Sequence, residues 1–200
     1  MVKKSLLIFI FIFLFSLNGY SDEVNTEEIF LKSLSPAINY EAVIRVSVKN
    51  KSFTSKFIKI DDYEGYIINI GKREVFVVKK GNTIGINANL KKGSLSFLGL
   101  NLPKKHEIIL RNYKLNLIGK EKLMEREAYH IKLSPICEGN VWEEVWIDTK
   151  TYIPLKLTIY DWNDKPLKEK EVISFKIYEN TPPILNKMKG ILRKNSKKLS

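Results

Sequence analysis

Short segments in which apolar and polar residues alternate, separated by turns, restrict the fold of this chain more than any other feature. From Tyr40 to Val48 every second residue is apolar. Successive side chains of a β-strand point to opposite faces, so this pattern predicts a strand with one buried face. Similar runs follow across residues 53–88, with turns about every eight to twelve residues. This spacing predicts an all-β sandwich, barrel or half-barrel.

Two hairpins are predicted in the second half of the chain. In the block from Asn112 to Leu133, apolar residues of the outgoing and returning strands fall on one face. In the segment from Val145 to Lys156 (VWIDTKTYIPLK), alternating residues lead into a polar turn, after which Pro154 begins a second strand. A last strand is predicted from Val172 to Tyr178. Consecutive hairpins of this kind indicate one large curved antiparallel sheet.

Two helices are predicted to lie against this sheet. The first covers residues 24–34, with Asn25 or Thr26 as the N-cap, and Pro36 ends it. The second begins at Pro103, a residue suited to the first helical position, and runs to Leu110.

The N-terminus predicts a secretory signal peptide over residues 1–21. Two lysines precede an apolar run from Leu6 to Leu17, and Gly19 and Ser21 supply small residues before the cleavage point. A helix needs roughly 20 apolar residues to cross a bilayer, so an uncleaved anchor is the less favoured alternative. We therefore expect a mature protein that is soluble and exported.

The last twenty residues, 181–200, combine apolar residues at helical spacing with basic residues and no acid. This layout predicts a basic amphipathic helix for anionic lipid or an acidic partner, and a frayed, solvated terminus is the alternative. Export argues against a nucleic-acid partner. The basic residues of the segment are Lys187, Lys189, Arg193, Lys194, Lys197 and Lys198.

A leucine-rich segment from Gly93 to Pro103 does not resemble a solvated loop. Leu95, Phe97, Leu98 and Leu100 crowd into it beside Gly99. Apolar loops are either buried or functional. The segment is therefore either an apolar flap or docking element over a cavity, or a plug that permanently fills the sheet's concave face.

The residues that carry chemistry form no known catalytic pattern. His106 lies in a predicted helix and His130 on the outward side of its strand, where solvated or hydrogen-bonded roles are expected. Glu143 and Glu144 are adjacent on a strand and point to opposite faces, so they cannot share a site. The single cysteine, Cys137, is either an inert half-buried residue or a redox-sensitive or intermolecular thiol. We expect no enzyme activity, cofactor or metal.

The apolar face of the predicted sheet is wider and more aromatic than one small core requires. Such faces bind lipids or apolar segments when they are incompletely filled, and the alternative is that the helices and the leucine-rich segment fill the space. Strand alternation predicts that the ligand-binding residues of the cavity are Tyr40, Ile44, Phe57, Leu98, Leu100, Tyr113 and Leu115.

Three stretches together carry a resemblance to a known family. They are the run GKREVFVV from Gly71 to Val78, the block from Asn112 to Leu133 with its Tyr113, Gly119, Arg126 and Ala128, and the hairpin with Trp146, Asp148, Thr151, Pro154, Leu155 and Lys156. Over about residues 24–180 the chain resembles the N-terminal domain of periplasmic sigma-E regulators of the MucB/RseB type. The hairpin alone is also similar to the lipoprotein carriers of the LolA/LolB type.

The resemblance implies a mainly β (α+β) fold, an unclosed antiparallel β-barrel or strongly curved LolA-like sheet whose concave face is covered by helices. It also implies a non-enzymatic periplasmic protein of envelope-stress signalling that binds the periplasmic region of an anti-sigma factor or a lipid-like ligand. A carrier of lipoproteins or lipid acyl chains is the alternative. Residues 22–180 correspond to this domain, and family regulators carry a second domain where this chain has its basic tail.

Overall fold

A computed structural model describes residues 25–70, 73–87, 106–137, 139 and 141–198. Within these residues, eleven strands form one sheet in which all neighbouring strands are antiparallel. The predicted signal peptide and the leucine-rich segment lie outside the described residues.

The sheet consists of two meanders of five strands joined through one long-range pairing. β1 pairs with β10 from Tyr40 opposite Ile177 to Val48 opposite Lys168, and this register joins the meanders. The strands of the first meander are β1 (Tyr40–Val48), β2 (Lys51–Ile60), β3 (Tyr63–Ile70), β4 (Arg73–Lys80) and β5 (Thr83–Ile86). Those of the second are β6 (Tyr113–Leu123), β7 (Arg126–Pro135), β8 (Glu143–Asp148), β9 (Pro154–Tyr160) and β10 (Pro166–Ile177).

The sheet is open among the described residues. A short strand, β11 (Ser196–Lys198), pairs with β5 and forms one edge, and β6 forms the other. The predicted fold, an unclosed antiparallel sheet with helices, is confirmed. The predicted faces of the first hairpin are also correct, because Leu115 lies opposite Leu133 and Leu117 opposite Ile131.

In the part of the chain that the structure describes, three helices accompany the sheet: α1 (Thr26–Leu34), α2 (His106–Asn112) and α3 (Ile184–Asn195). Asn25 is the N-cap of α1, since its side-chain Oδ1 accepts a hydrogen bond from the Glu28 backbone N–H at 3.1 Å. None of the described helices is long and apolar enough to cross a membrane.

Helix α1 covers the second meander. Its buried Ile29 and Phe30 pack in one cluster with Tyr113, Ile131 and Val145, which come from β6, β7 and β8. Burying one large apolar side chain contributes about 1.5–3 kcal/mol, so a few such contacts hold this short helix in place.

Helix α3 packs on the first meander, on the opposite face. Its Leu185, Met188 and Ile191 are buried against Ile58 and Phe76. These two strand residues alternate with Phe57 and Val77, which point to the other side of the sheet. The helix predicted in the basic tail is therefore present, and its apolar side packs against the chain's own sheet.

Candidate functional site

The concave face of the sheet encloses an apolar cavity of about 400 Å³. Residues of nine strands, β1 to β4 and β6 to β10, line it together with Phe30 and Leu34 of α1 and Ile109 of α2. Only a strongly curved sheet brings so many strands around one space. A more open depression of about 610 Å³ lies beside the α1–β1 connection, but its lining is mostly polar, so the apolar cavity is the better candidate site.

An aromatic row forms one wall of the cavity. The ring centroids of Tyr40 and Phe57 lie 5.6 Å apart, and those of Phe57 and Tyr66 lie 4.9 Å apart. Burial, reinforced by the nearby Glu64 carboxylate, raises the pKa of both tyrosines well above the usual value. Both phenols therefore stay neutral at physiological pH, and the wall offers a flat aromatic surface that also carries two hydroxyl groups.

Four of the seven residues predicted to line the cavity do so: Tyr40, Ile44, Phe57 and Tyr113. Leu115 lies opposite Leu133 on the same face and packs against the cluster beneath α1, but it is not among the described residues that line the cavity. The side chains of Leu98 and Leu100 lie outside the described residues. Whether any of these residues binds a ligand stays a prediction.

The sequence reasoning did not predict the charged residues of the lining. Lys59, Glu64 and Lys79 stand opposite one another across β2, β3 and β4. The Lys79 Nζ lies 3.4 Å from Glu64 Oε2, and the Tyr66 hydroxyl donates to the same oxygen at 3.2 Å. Strand alternation could have identified them, because each lies two positions from an apolar residue on the same face of the sheet.

A second charged group lies where β8 and β10 face the cavity. Glu143 and Lys170 both line it. Burial, together with the positive charge of Lys168, lowers the pKa of Lys170 to about 8, although the Glu143 carboxylate acts in the opposite direction. The cavity thus combines a large apolar surface with a few charged groups, the composition of a site that binds an amphiphile.

The opposite face of the second meander holds the histidine predicted to point outward. His130 stacks on Trp146 with ring centroids 4.2 Å apart, and its Nδ1 lies 2.6 Å from Glu121 Oε1. The prediction that it is hydrogen-bonded is correct, yet the residue is buried because the indole covers it. Adjacent Glu144 lies on this face, 3.6 Å from His130 Nε2, whereas Glu143 lines the cavity. The two glutamates are separated by the sheet, as predicted.

Two further predicted residues have simple outcomes. Cys137 is exposed and is a free thiol, so the expectation of a half-buried residue is wrong. Helix α2 begins at His106, but that side chain is outside the described residues. Among the described side chains, no group of three or more acidic, histidine or cysteine residues is arranged to hold a metal ion.

Comparison with known proteins supports the fold. A family model described as "-like: Uncharacterized protein" matches residues 105–197. A search of curated proteins gives no match to the sequence.

Among solved structures, the chain is similar to MucB, with a TM-score of 0.68 and 14% identity over 84% of this chain and 62% of that one. It is similar to the Pseudomonas aeruginosa MucA/MucB complex, with a TM-score of 0.65 and 12% identity over 81% and 60% of the two chains. An uncharacterized conserved protein from Thermus thermophilus matches with a TM-score of 0.57 and 16% identity over 80% and 91%. The chain thus has the fold of these proteins and spans about three fifths of the MucB chains.

Proposed function

We propose that this protein is a non-enzymatic binding protein of the periplasm that takes a lipid-like ligand into its apolar cavity. The observation that carries the proposal is the cavity of about 400 Å³, lined by Tyr40, Phe57 and Tyr66 on one side and by apolar residues of α1 on the other. Ligand sites are commonly concave and mostly apolar, with a few polar groups that orient the ligand.

The proposed biological role is regulation of an envelope-stress response of the sigma-E type. The fold is similar to that of MucB, which has been solved in complex with MucA(peri). In this role the protein would bind the periplasmic region of an anti-sigma factor and release it when the cavity fills. The shared fold supports this role, and the MucB chains extend beyond the part that this chain matches.

A lipid or lipoprotein carrier is the second candidate. The same cavity favours it, because a carrier also needs a concave apolar surface that shields acyl chains from water. The two candidates differ in what ligand binding does. A regulator changes its affinity for a protein segment, whereas a carrier passes the ligand to an acceptor.

Native mass spectrometry of the protein purified from the periplasm tests the shared part of both candidates. We expect a bound lipid whose mass is lost on extraction with organic solvent. A protein that is free of lipid, and that takes up none when mixed with periplasmic lipid extract, would overturn the proposal.

Limited proteolysis then separates the two candidates. The substrate is the periplasmic region of the anti-sigma factor of the same cell, digested with and without the protein and with and without lipid. A regulator protects the segment, and lipid abolishes the protection. A carrier leaves the digestion unchanged and transfers labelled lipid to acceptor vesicles.

The cationic side of α3 fits a location close to a membrane. Its buried residues face the sheet, Arg193 and Lys194 are exposed, and Lys187 is exposed at the edge of the helix near Glu74. With the apolar side occupied, the helix would associate with anionic headgroups by charge and would not insert.

A further inference from the structure

Lys170 lies on the cavity face of β10, at a position where its paired neighbours are apolar. It lies opposite Leu157 of β9 and Val46 of β1, and directly paired residues share a face of the sheet. Val172, two positions along the strand, is buried on the same face and also lines the cavity. The ammonium group of Lys170 is therefore carried on a half-buried stem along the wall of an apolar space.

An ammonium group in such a position is energetically costly. Removing it from water disfavours the charged form, which is why the pKa of Lys170 falls to about 8. At neutral pH the group is still mostly protonated. A lysine that retains its charge against an apolar wall is suited to binding an anion, because the low local dielectric strengthens the attraction.

Positive charge exceeds negative charge around the cavity. Beside Glu143, the electrostatic partners on β10 are Lys168 and Lys170. Across the cavity, Lys59 and Lys79 accompany the single carboxylate of Glu64. The described residues that line the cavity include four lysines, Lys59, Lys79, Lys156 and Lys170, and two glutamates, Glu64 and Glu143. Lys156 is paired with Glu169, so the remaining lining charges are three cations and two anions. An apolar ligand would leave this excess inside the site, whereas a ligand with one negative group would reduce it.

We infer that the cavity binds a single-chain amphiphile with an anionic headgroup, a carboxylate or a phosphate ester, and that Lys170 binds the headgroup while the chain lies along Phe57 and Tyr66. This inference rests on the proposed function and names its ligand class. A volume of about 400 Å³ is near the lower end of the usual range for ligand sites, roughly 300–1,000 Å³, and favours one acyl chain over two.

The test compares three ligands that share one chain and differ in headgroup: hexadecanoic acid, hexadecyl phosphate and hexadecanol. Delipidated protein is titrated with each, and displacement of a fluorescent fatty alcohol reports binding. We expect the wild-type protein to bind one or both anions at least about tenfold more tightly than the alcohol, the usual strength of a hydrogen bond to a charged group. The ratio between acid and phosphate identifies which headgroup is preferred.

Variants at Lys170 assign the preference to this residue. Lys170→Met is expected to lose the preference for the two anions over the alcohol, and Lys170→Arg to keep it. The matched control is Lys176→Met, which removes a charge from an exposed residue of the same strand. Circular dichroism confirms that each variant is folded.

The pH dependence of binding to the wild-type protein is a test that requires no substitution. Binding an anion raises the pKa of Lys170, so the preference over the alcohol should fall as the pH rises from about 7 to about 10. Equal binding of acid, phosphate and alcohol, or a preference that survives in folded Lys170→Met, overturns this inference and leaves the proposed function standing. Failure to bind any of the three ligands overturns both.

Discussion

Arg126 and Asp148 form a two-point ion pair that fastens the turn between β8 and β9. The guanidinium donates from Nε to Asp148 Oδ2 at 2.6 Å and from Nη2 to Oδ1 at 3.0 Å. Asp148 is 1% exposed, and its Oδ1 also accepts from the backbone N–H and the hydroxyl of Thr151. One buried carboxylate thus closes its own turn and joins it to the start of β7. The residues of this arrangement are among those that carry the family resemblance.

Replacing Arg126 by methionine should destabilise the protein strongly. The change leaves a buried carboxylate without its counter-charge, and breaking such a pair costs about 3–5 kcal/mol. Because Arg126 is partly exposed, we expect the low end of this range, a loss of about 3 kcal/mol in the free energy of unfolding, measured by urea denaturation. Lys122→Met in the exposed pair with Glu125 is the control, with an expected change below about 0.5 kcal/mol. Similar values for both variants would contradict the assigned role.

The same pair predicts how stability responds to acid. Burial alone would raise the pKa of Asp148, but hydrogen bonds from Arg126 and Thr151 outweigh it and lower the pKa below 3.8. A carboxyl whose pKa is lower in the folded state stabilises the fold above its unfolded-state pKa and loses that contribution as the pH falls. The stability difference between wild type and Asp148→Asn should therefore be full at pH 7 and shrink below about pH 4. Denaturation at several pH values measures it, and a difference independent of pH would exclude this linkage.

Two glycines test how closely α3 packs on the sheet. A Cβ added to Gly85 would lie 3.0 Å from the Ile191 carbonyl oxygen and 3.0 Å from the Leu192 Cα, so backbone would have to move. We expect Gly85→Ala to lower the free energy of unfolding by about 1–3 kcal/mol. Hydrogen-exchange protection should fall in α3 before it falls in the sheet. Gly190 lies in the helix with nothing within 4 Å of an added Cβ. Gly190→Ala should therefore raise the free energy of unfolding by about 0.5–1 kcal/mol. If Gly85→Ala were the more stable of the two variants, the described packing of α3 on the sheet would be wrong.

The aromatic wall gives a direct test of the cavity. Phe57→Asp places a carboxylate between Tyr40 and Tyr66, where it disrupts an apolar binding surface. We expect at least about a tenfold loss of affinity for hexadecanol, measured by displacement of a fluorescent alcohol. Ile118→Asp is the control, because Ile118 is 56% exposed and does not line the cavity. A folded Phe57→Asp variant with normal affinity would show that the ligand binds elsewhere.

Alternation predicted the sheet well where one face of a strand is buried and the other is exposed. It placed Tyr40, Ile44 and Phe57 on the concave face, where the structure has them. It could not identify the surface that receives α3, because all four residues from Val75 to Val78 are buried. A strand covered on both sides has no polar face, so the pattern carries no information about what packs on each.

Charged residues of the cavity were missed for a different reason. Lys170 and Glu143 lie at strand positions that face the apolar cavity. A sequence pattern of alternating residues predicts apolar side chains there, so each charged residue interrupts the pattern. Their meaning depends on strand pairing between distant segments, such as Val46 opposite Lys170. Likewise, the contact of His130 with Trp146 follows from the register of β7 and β8, which the sequence does not specify.

The exposed side of α3 predicts charge-dependent association with anionic membranes. Arg193 and Lys194 are exposed, and Lys187 is exposed at the edge of the helix, where its Nζ lies over the Phe76 ring and 3.8 Å from Glu74, the one acidic neighbour described for these three residues. Each cation near an anionic surface contributes about 1 kcal/mol, so replacing all three by glutamine should weaken binding to phosphatidylglycerol vesicles about a hundredfold. Sedimentation with vesicles measures this.

The matched control removes three exposed lysines elsewhere, Lys49, Lys51 and Lys176, and changes the net charge equally. This control variant should retain most of the binding to phosphatidylglycerol vesicles. Neutral phosphatidylcholine vesicles should bind neither the wild-type protein nor the variants. Because the apolar side of α3 is buried in the sheet, binding should also disappear in about 0.5 M salt, where charges are screened within a few ångströms. Binding that persists in salt would mean that apolar residues enter the bilayer, and equal losses in both triple variants would mean that net charge, and not α3, determines association.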